Sequence, residues 1–147
     1  MAVERPPKGL LDTSTVVLLG QLPQAILPVE PFISAVTLAE LSVGPLVATD
    51  DRERAARQAR LQQAEADFDP LPFDAESARA FARVAASLRR SGRKVQARTY
   101  DAMIAAIALA NDLPLFTCNP GDFAGIADLE VHAIAHPQRR LPEDRPE

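Results

Sequence analysis

Residues 99–111, TYDAMIAAIALAN, decide how the rest of this 147-residue chain is read. From Ala102 to Ala110 every side chain is apolar, so a helix here has no polar face to offer water. A helix apolar all round belongs at the centre of a core. One carboxylate, Asp101, stands near its start, with Thr99 placed as the N-cap. A negative charge there complements the helix dipole, worth about 0.3–1 kcal/mol. The dipole explains a charge near a helix start, but not why a buried helix carries it. An N-terminus opening on a crevice, where other groups meet Asp101, would explain both.

Working outward, the segments alternate between strand and helix. GLL (9–11) is a short apolar run that stops at Asp12, LPLFTC (113–118) reads as a buried strand, and LEVHAI (129–134) as a final strand. VVLLGQL (16–22) reads as a first helix, with Thr13 or Ser14 as its cap, and ILPVEPF (26–32) as extended or loop. ISAVTLAELSVG (33–44) reads as a helix stopped by Gly44 and Pro45, and residues 50–66 as a helix with a charged exposed face. After Asp74, an N-cap, residues 75–90 place Ala78, Phe81, Ala82, Ala85 and Leu88 on one helical face. Such alternation predicts an α/β sandwich around a mainly parallel sheet. Ligands of such sheets sit beyond the carboxyl ends of the strands. Asp12 ends one strand, and Asn119 and Asp122 come after another.

The composition, 47% hydrophobic and 24% charged, is that of a globular protein, and the length suits one domain. Residues 1–136 are read as that domain and 137–147 as a mobile tail with almost nothing to bury. A single cysteine, Cys118, excludes an intramolecular disulfide framework. Neither a leader nor a membrane span is read, and the expected location is the cytoplasm. The net charge of −4 argues against a simple nucleic-acid-binding module. It leaves room for a nuclease whose metal ions bring the positive charge.

Each acid near the crevice has an ordinary role open to it. Asp12 suits a turn or cap hydrogen bond to the amides of TST. Glu40 completes a capping box from Thr37, unless Ser34 starts the helix earlier and leaves Glu40 free to point inward. NPGD (119–122) reads as a type II turn, with Asn119 closing it and Asp122 capping a short helix before FAGI. Four acids on one edge of one sheet are a different matter. Crowded carboxylates raise one another's pKa values unless a cation joins them. Hard oxygen donors without His or Cys suit Mg²⁺ or Mn²⁺. A metal held so activates water and stabilises charge on a phosphodiester. His132 and His136 fall at the last strand and beyond, and are read as structural or solvated.

In this order, LLDTSTVV around Asp12, ISAVTLAEL around Glu40 and YDAMIAAIALANDLPLFTCNPGDF around Asp101 and Asp122 resemble the PIN-domain ribonucleases, and more closely the VapC-type toxins of bacterial toxin–antitoxin pairs. The resemblance runs from about residue 9 to 134. It implies a three-layer α/β/α domain that cleaves RNA endonucleolytically with one or two Mg²⁺ or Mn²⁺ ions. Carried across by motif, Asp12, Glu40, Asp101 and Asp122 form the acidic set. Asp12 and Asp101 then rank as direct ligands, and Glu40 and Asp122 as water-mediated ligands or bases. Thr13, Ser14, Thr117 and Asn119 would orient carboxylates or waters. The family also implies a small cognate antitoxin and a homodimer or toxin–antitoxin hetero-oligomer.

Near Asp101, RRSGRKVQAR brings Arg89, Arg90, Arg93, Lys94 and Arg98 together, a candidate track for the RNA backbone or else a solvated loop. Aromatic residues are only 5% and Trp is absent, which makes base stacking a minor source of recognition. Rival readings are a nuclease of structured DNA and a non-catalytic PIN-like interaction module. A phospho-acceptor domain built on PLVATDD is imitated only weakly, and Cys118 has no nearby His to activate it as a nucleophile. Asp12→Asn is expected to leave folding nearly intact and abolish cleavage.

Overall fold

The computed structural model describes residues 5–137. Of the tail assigned to 137–147, all but Pro137 lies outside the described residues. Strand β1 (Lys8–Leu11) leads into a short helix α1 (Thr13–Val17), and β2 (Glu30–Phe32) precedes helix α2 (Ala35–Leu46). Helices α3 (Asp51–Asp67), α4 (Ala75–Arg90) and α5 (Thr99–Ala110) come next, then β3 (Leu115–Thr117) and β4 (Val131–Ala133). All described strand pairings are parallel, in the order β2-β1-β3-β4. No helix among the described residues is long and apolar enough to cross a membrane.

The period-two alternation of strands builds the two faces. Leu10 and Leu115 point to one side, into a cluster with Val84 and Leu88 of α4 and Ile104 and Ile107 of α5. Leu11 and Phe116 point to the other, where they meet Val16, Leu41 and Ala64 from α1, α2 and α3. The result is the expected α/β/α sandwich. A Cβ at Gly9 would lie 2.4 Å from the Phe116 ring, so glycine is what lets that ring lie against β1. The other side of the ring is stacked by His132 at 4.6 Å, and His132 also meets Glu130 at 2.8 Å, which gives that histidine its structural role.

Several expectations about local structure need correction. The first helix starts and ends earlier than VVLLGQL suggested, because Asp12 rather than Thr13 or Ser14 caps it. Helix α2 passes through Gly44 and Pro45 before ending at Leu46. On α4 the buried face is Ser77, Ala80, Val84, Ser87 and Leu88, while Ala78 and Ala82 are exposed. The serines can be buried because Ser77 Oγ donates to Asp74 at 2.8 Å and Ser87 Oγ accepts from the Ala127 amide at 3.3 Å. That helix stops in a Schellman arrangement: Gly92, at φ +76, donates to the Arg89 carbonyl and Arg93 to the Leu88 carbonyl. Thr99 is not an N-cap, for α5 is entered from a 3-10 turn at Gln96–Arg98 with no side-chain cap. NPGD is not a type II turn either. Gly121 lacks the positive φ that geometry demands, and Pro120–Phe123 form a 3-10 turn with proline in its first positions.

Candidate active site

The acids come together at the carboxyl ends of β1 and β3, on four different elements. Asp12 caps α1, so the ordinary reading and the site reading describe the same side chain. It is only 4% exposed, and its Oδ1 accepts from the Thr15 amide at 3.1 Å and the Thr15 hydroxyl at 2.7 Å. Thr117 donates to Oδ2 at 2.6 Å, and Ser14 divides its hydroxyl between both oxygens at 2.9 Å. Asn119 joins through its backbone N–H, which donates to Thr117 Oγ1 at 2.9 Å. These donors fix both oxygens of the carboxylate. An Asn amide nitrogen at either position would face groups that now donate, so Asp12→Asn is expected to cost stability as well as activity.

Glu40 is free of the capping box, since Ser34 caps α2 by accepting from the Thr37 amide at 3.0 Å. It lies mid-helix, half-buried, and its Oε1 accepts from Thr13 Oγ1 at 2.7 Å. Thr13 has one hydroxyl proton and directs it to Glu40, so the 2.9 Å contact between the Thr13 and Thr37 hydroxyls is donated by Thr37. Ser34 donates in turn to Thr37 at 3.4 Å. A hydroxyl chain therefore runs one way, from Ser34 through Thr37 and Thr13, and ends on the carboxylate. Thr15 and Thr37, both fully buried, were not named as site residues in the sequence, where Thr37 was read only as the start of a capping box. Their signal was the polar run TST beside one acid and a threonine on the inward face of the α2 motif.

Asp101 is half-buried on the first turn of α5, and no hydrogen bond from a described residue reaches it. Burial is the first cause that pushes its pKa from 3.8 to about 6, with the charges of Asp122, Asp12 and Glu40 adding to it; Arg98 opposes them. Charges act this way only at close range, so all four acids share one electrostatic neighbourhood. Asp122 lies in the 3-10 turn after β3 and pairs with Arg98 Nη1 at 3.2 Å.

All the donors in this neighbourhood are hard oxygens, the set that suits Mg²⁺ or Mn²⁺. Among the described residues, no three His, Cys, Asp or Glu side chains form a ready-made metal cluster. Mg²⁺ does not require one, because it commonly keeps several waters and takes one or two carboxylates. A cavity of about 530 Å³ opens beside Glu40 and Asp101, lined also by Gln96, Arg98, Thr99 and Tyr100. A larger one of about 860 Å³ runs along the β2 edge past Arg5, Phe32 and Phe68 and includes none of the four acids, so chemistry rather than size locates the site.

The basic connector divides into two kinds of residue. Arg93 donates to the Gly121 carbonyl at 2.9 Å and Arg98 holds Asp122, so both brace the turn that carries that acid. Arg89, Arg90 and Lys94 are exposed. Cys118 is buried.

Residues 10–129 match the PIN domain family model. The chain is 41% identical over 132 residues to Ribonuclease VapC5 of Mycobacterium tuberculosis, covering 86% of this chain and 95% of that one. To Ribonuclease VapC4 of the same organism it is 35% identical over 102 residues, covering 69% and 75%. Among solved structures, a VapBC-5 toxin–antitoxin crystal structure from M. tuberculosis superposes with a TM-score of 0.77 at 39% identity, covering 88% of this chain and all of that chain. The chain belongs to the PIN-domain family and, within it, groups with the VapC proteins.

Proposed function

We propose that this chain is a metal-dependent endoribonuclease of the VapC type, the toxin of a toxin–antitoxin pair, acting on RNA phosphodiester bonds in the cytoplasm. The observation that carries the reading is the crowding of Asp12, Glu40 and Asp122 around Asp101, whose carboxyl is pushed to about 6 by burial first and by those three charges next. Asp12 and Asp101 would hold the cation directly, with Glu40 and Asp122 reaching it through water. A bound Mg²⁺ or Mn²⁺ supplies an activated water and stabilises charge on the phosphoryl oxygens.

The chain's own residues do the positioning. Thr15, Ser14 and Thr117 hold Asp12 in one orientation, and Thr13 directs Glu40 toward α1. Helix α5 is a rigid mount for Asp101, because its later turns are buried among α4 and β3. Arg98 holds Asp122 in place through their ion pair. The exposed Arg89, Arg90 and Lys94 form the candidate track for the RNA backbone, with Arg93 and Arg98 at its inner end. Retention of all four acids weighs against an inert interaction module. The absence of further elements around the site among the described residues favours RNA over structured DNA. By kinship with the VapBC complexes, the partner is a small antitoxin, in a homodimer or a toxin–antitoxin hetero-oligomer.

The test is incubation of purified, antitoxin-free protein with total cellular RNA in Mg²⁺, in Mn²⁺ and in EDTA, alongside Asp101→Asn. Discrete products that require both the cation and Asp101 are expected. A folded protein that neither cuts RNA nor binds a divalent cation overturns the proposal.

A further inference from the structure

The cavity beside the acids has one wall that the chemistry above leaves unused. Tyr100 is 61% exposed, whereas all six phenylalanines are buried or half-buried, so it is the one exposed aromatic of the Phe, Tyr and Trp set among the described residues. It precedes Asp101 on the first turn of α5 and lines the same cavity as Glu40 and Asp101. Its position on a helix otherwise sunk in the core gives the ring a fixed base. Gln96, exposed and also lining that cavity, adds an amide with both a donor and an acceptor.

From this placement we infer that Tyr100 is a stacking platform for one unpaired base of the RNA, the base next to the phosphate presented to Asp101 and Glu40. Tyr100 and Asp101 are walls of one cavity, so a base on the ring and a phosphate at the acid can belong to one nucleotide. The acids of this cavity repel the backbone until a cation is present, whereas an uncharged ring is not opposed by them, so a stack on Tyr100 adds to whatever the arginines outside contribute in the metal-free protein. Every base has a π-face, and one well-placed ring is enough where composition promised little stacking. The subsite rests on the ribonuclease reading for its ligand class, but it is measured without catalysis.

The chain itself supplies the probe, because it contains one Tyr and no Trp. Tyrosine emission therefore reports on Tyr100 alone. In EDTA, an unstructured oligoribonucleotide added to the full-length protein should quench that emission saturably after correction for RNA absorbance. Inorganic polyphosphate, a polyanion without bases, should not. Tyr100→Ala should weaken oligonucleotide binding and raise KM about ten-fold, the scale of one base stack, with kcat nearly unchanged. Tyr100→Phe should restore both. Neither variant threatens the fold, since the position is exposed and alanine favours helix. Equal quenching by polyphosphate, no quenching, or an unchanged KM in Tyr100→Ala would overturn the subsite. So would a variant whose only defect is weaker antitoxin binding. Saturable quenching by RNA in a protein that cuts nothing would uphold the subsite and fault the ribonuclease reading alone.

Discussion

Asp12 and Asp101 carry the same functional group at one sheet edge, yet they are built in opposite ways. Asp12 is only 4% exposed and is held by the hydroxyls of Ser14, Thr15 and Thr117 and by a backbone amide. Asp101 receives no hydrogen bond from the described residues and faces three other acids. Donors fix the orientation of the first. The second is left with an electrostatic deficit that a divalent cation would relieve. Under the proposed function both hold the cation, the first already oriented by its donors and the second placed by its helix alone.

The contrast can be broken by mutation, and the largest effect belongs to Asp101. Asp101→Asn should lower RNA cleavage by about 10²–10³-fold, the range seen when one charge-stabilising group is removed from a site, with an unchanged circular dichroism spectrum. Wild-type cleavage rates in that variant would end the distinction between the two acids. Asp12→Asn should lose activity on a similar scale and also stability, by about 1–3 kcal/mol in urea titration, because buried donors lose their acceptor. Thr117→Val tests the support directly. It should weaken Mn²⁺ binding about 10–100-fold, as loss of a ligand's hydrogen-bonding partner commonly does, with calorimetry as the readout.

The smallest effect is a pH dependence. Asp101's folded-state pKa lies above its unfolded value, so its carboxyl favours the fold while protonated. That contribution is complete below 3.8 and is lost as pH rises through about 6. Without divalent cations, Asp101→Asn should therefore be more stable than wild type at pH 7.5 by about 1 kcal/mol after solvent screening, and the gap should close toward pH 4. Adding Mn²⁺ should raise the wild-type Tm and leave the variant's nearly fixed. A pH-independent gap would mean that Asp101 is not the group responsible.

How much of this was legible in the sequence varied with the physics of each segment. The all-apolar α5 and the strands ending at Asp12 and Thr117 were readable, because burial on every side leaves a composition that nothing else leaves. The α4 face was misplaced by its alanines. Ala is tolerated in and out of a core, whereas Ser77 and Ser87 are buried only because partners distant in sequence or at a cap satisfy their hydroxyls. NPGD misled because Pro-Gly suits both a type II turn and the start of a 3-10 helix, and in the structure Arg93 and Arg98 reach that turn from a segment distant in sequence. The four acids were named from the sequence, and three of them lie close enough to Asp101 for their charges to act on it. What the sequence did not disclose was the direction of the hydroxyl chain into Glu40, or that two arginines of the connector are already engaged.

The cap formed by Asp12 has a consequence for how relatives of this chain should be interpreted. A descendant that abandoned its chemistry would still be selected to keep a capping side chain, Asp, Asn, Ser or Thr, at position 12, because α1 starts on it. A capping residue at that position therefore testifies to inheritance of the fold. Position 101 carries no such structural duty, and substitution there would cost the fold little. Across a lineage it is the better indicator of whether the activity has been kept.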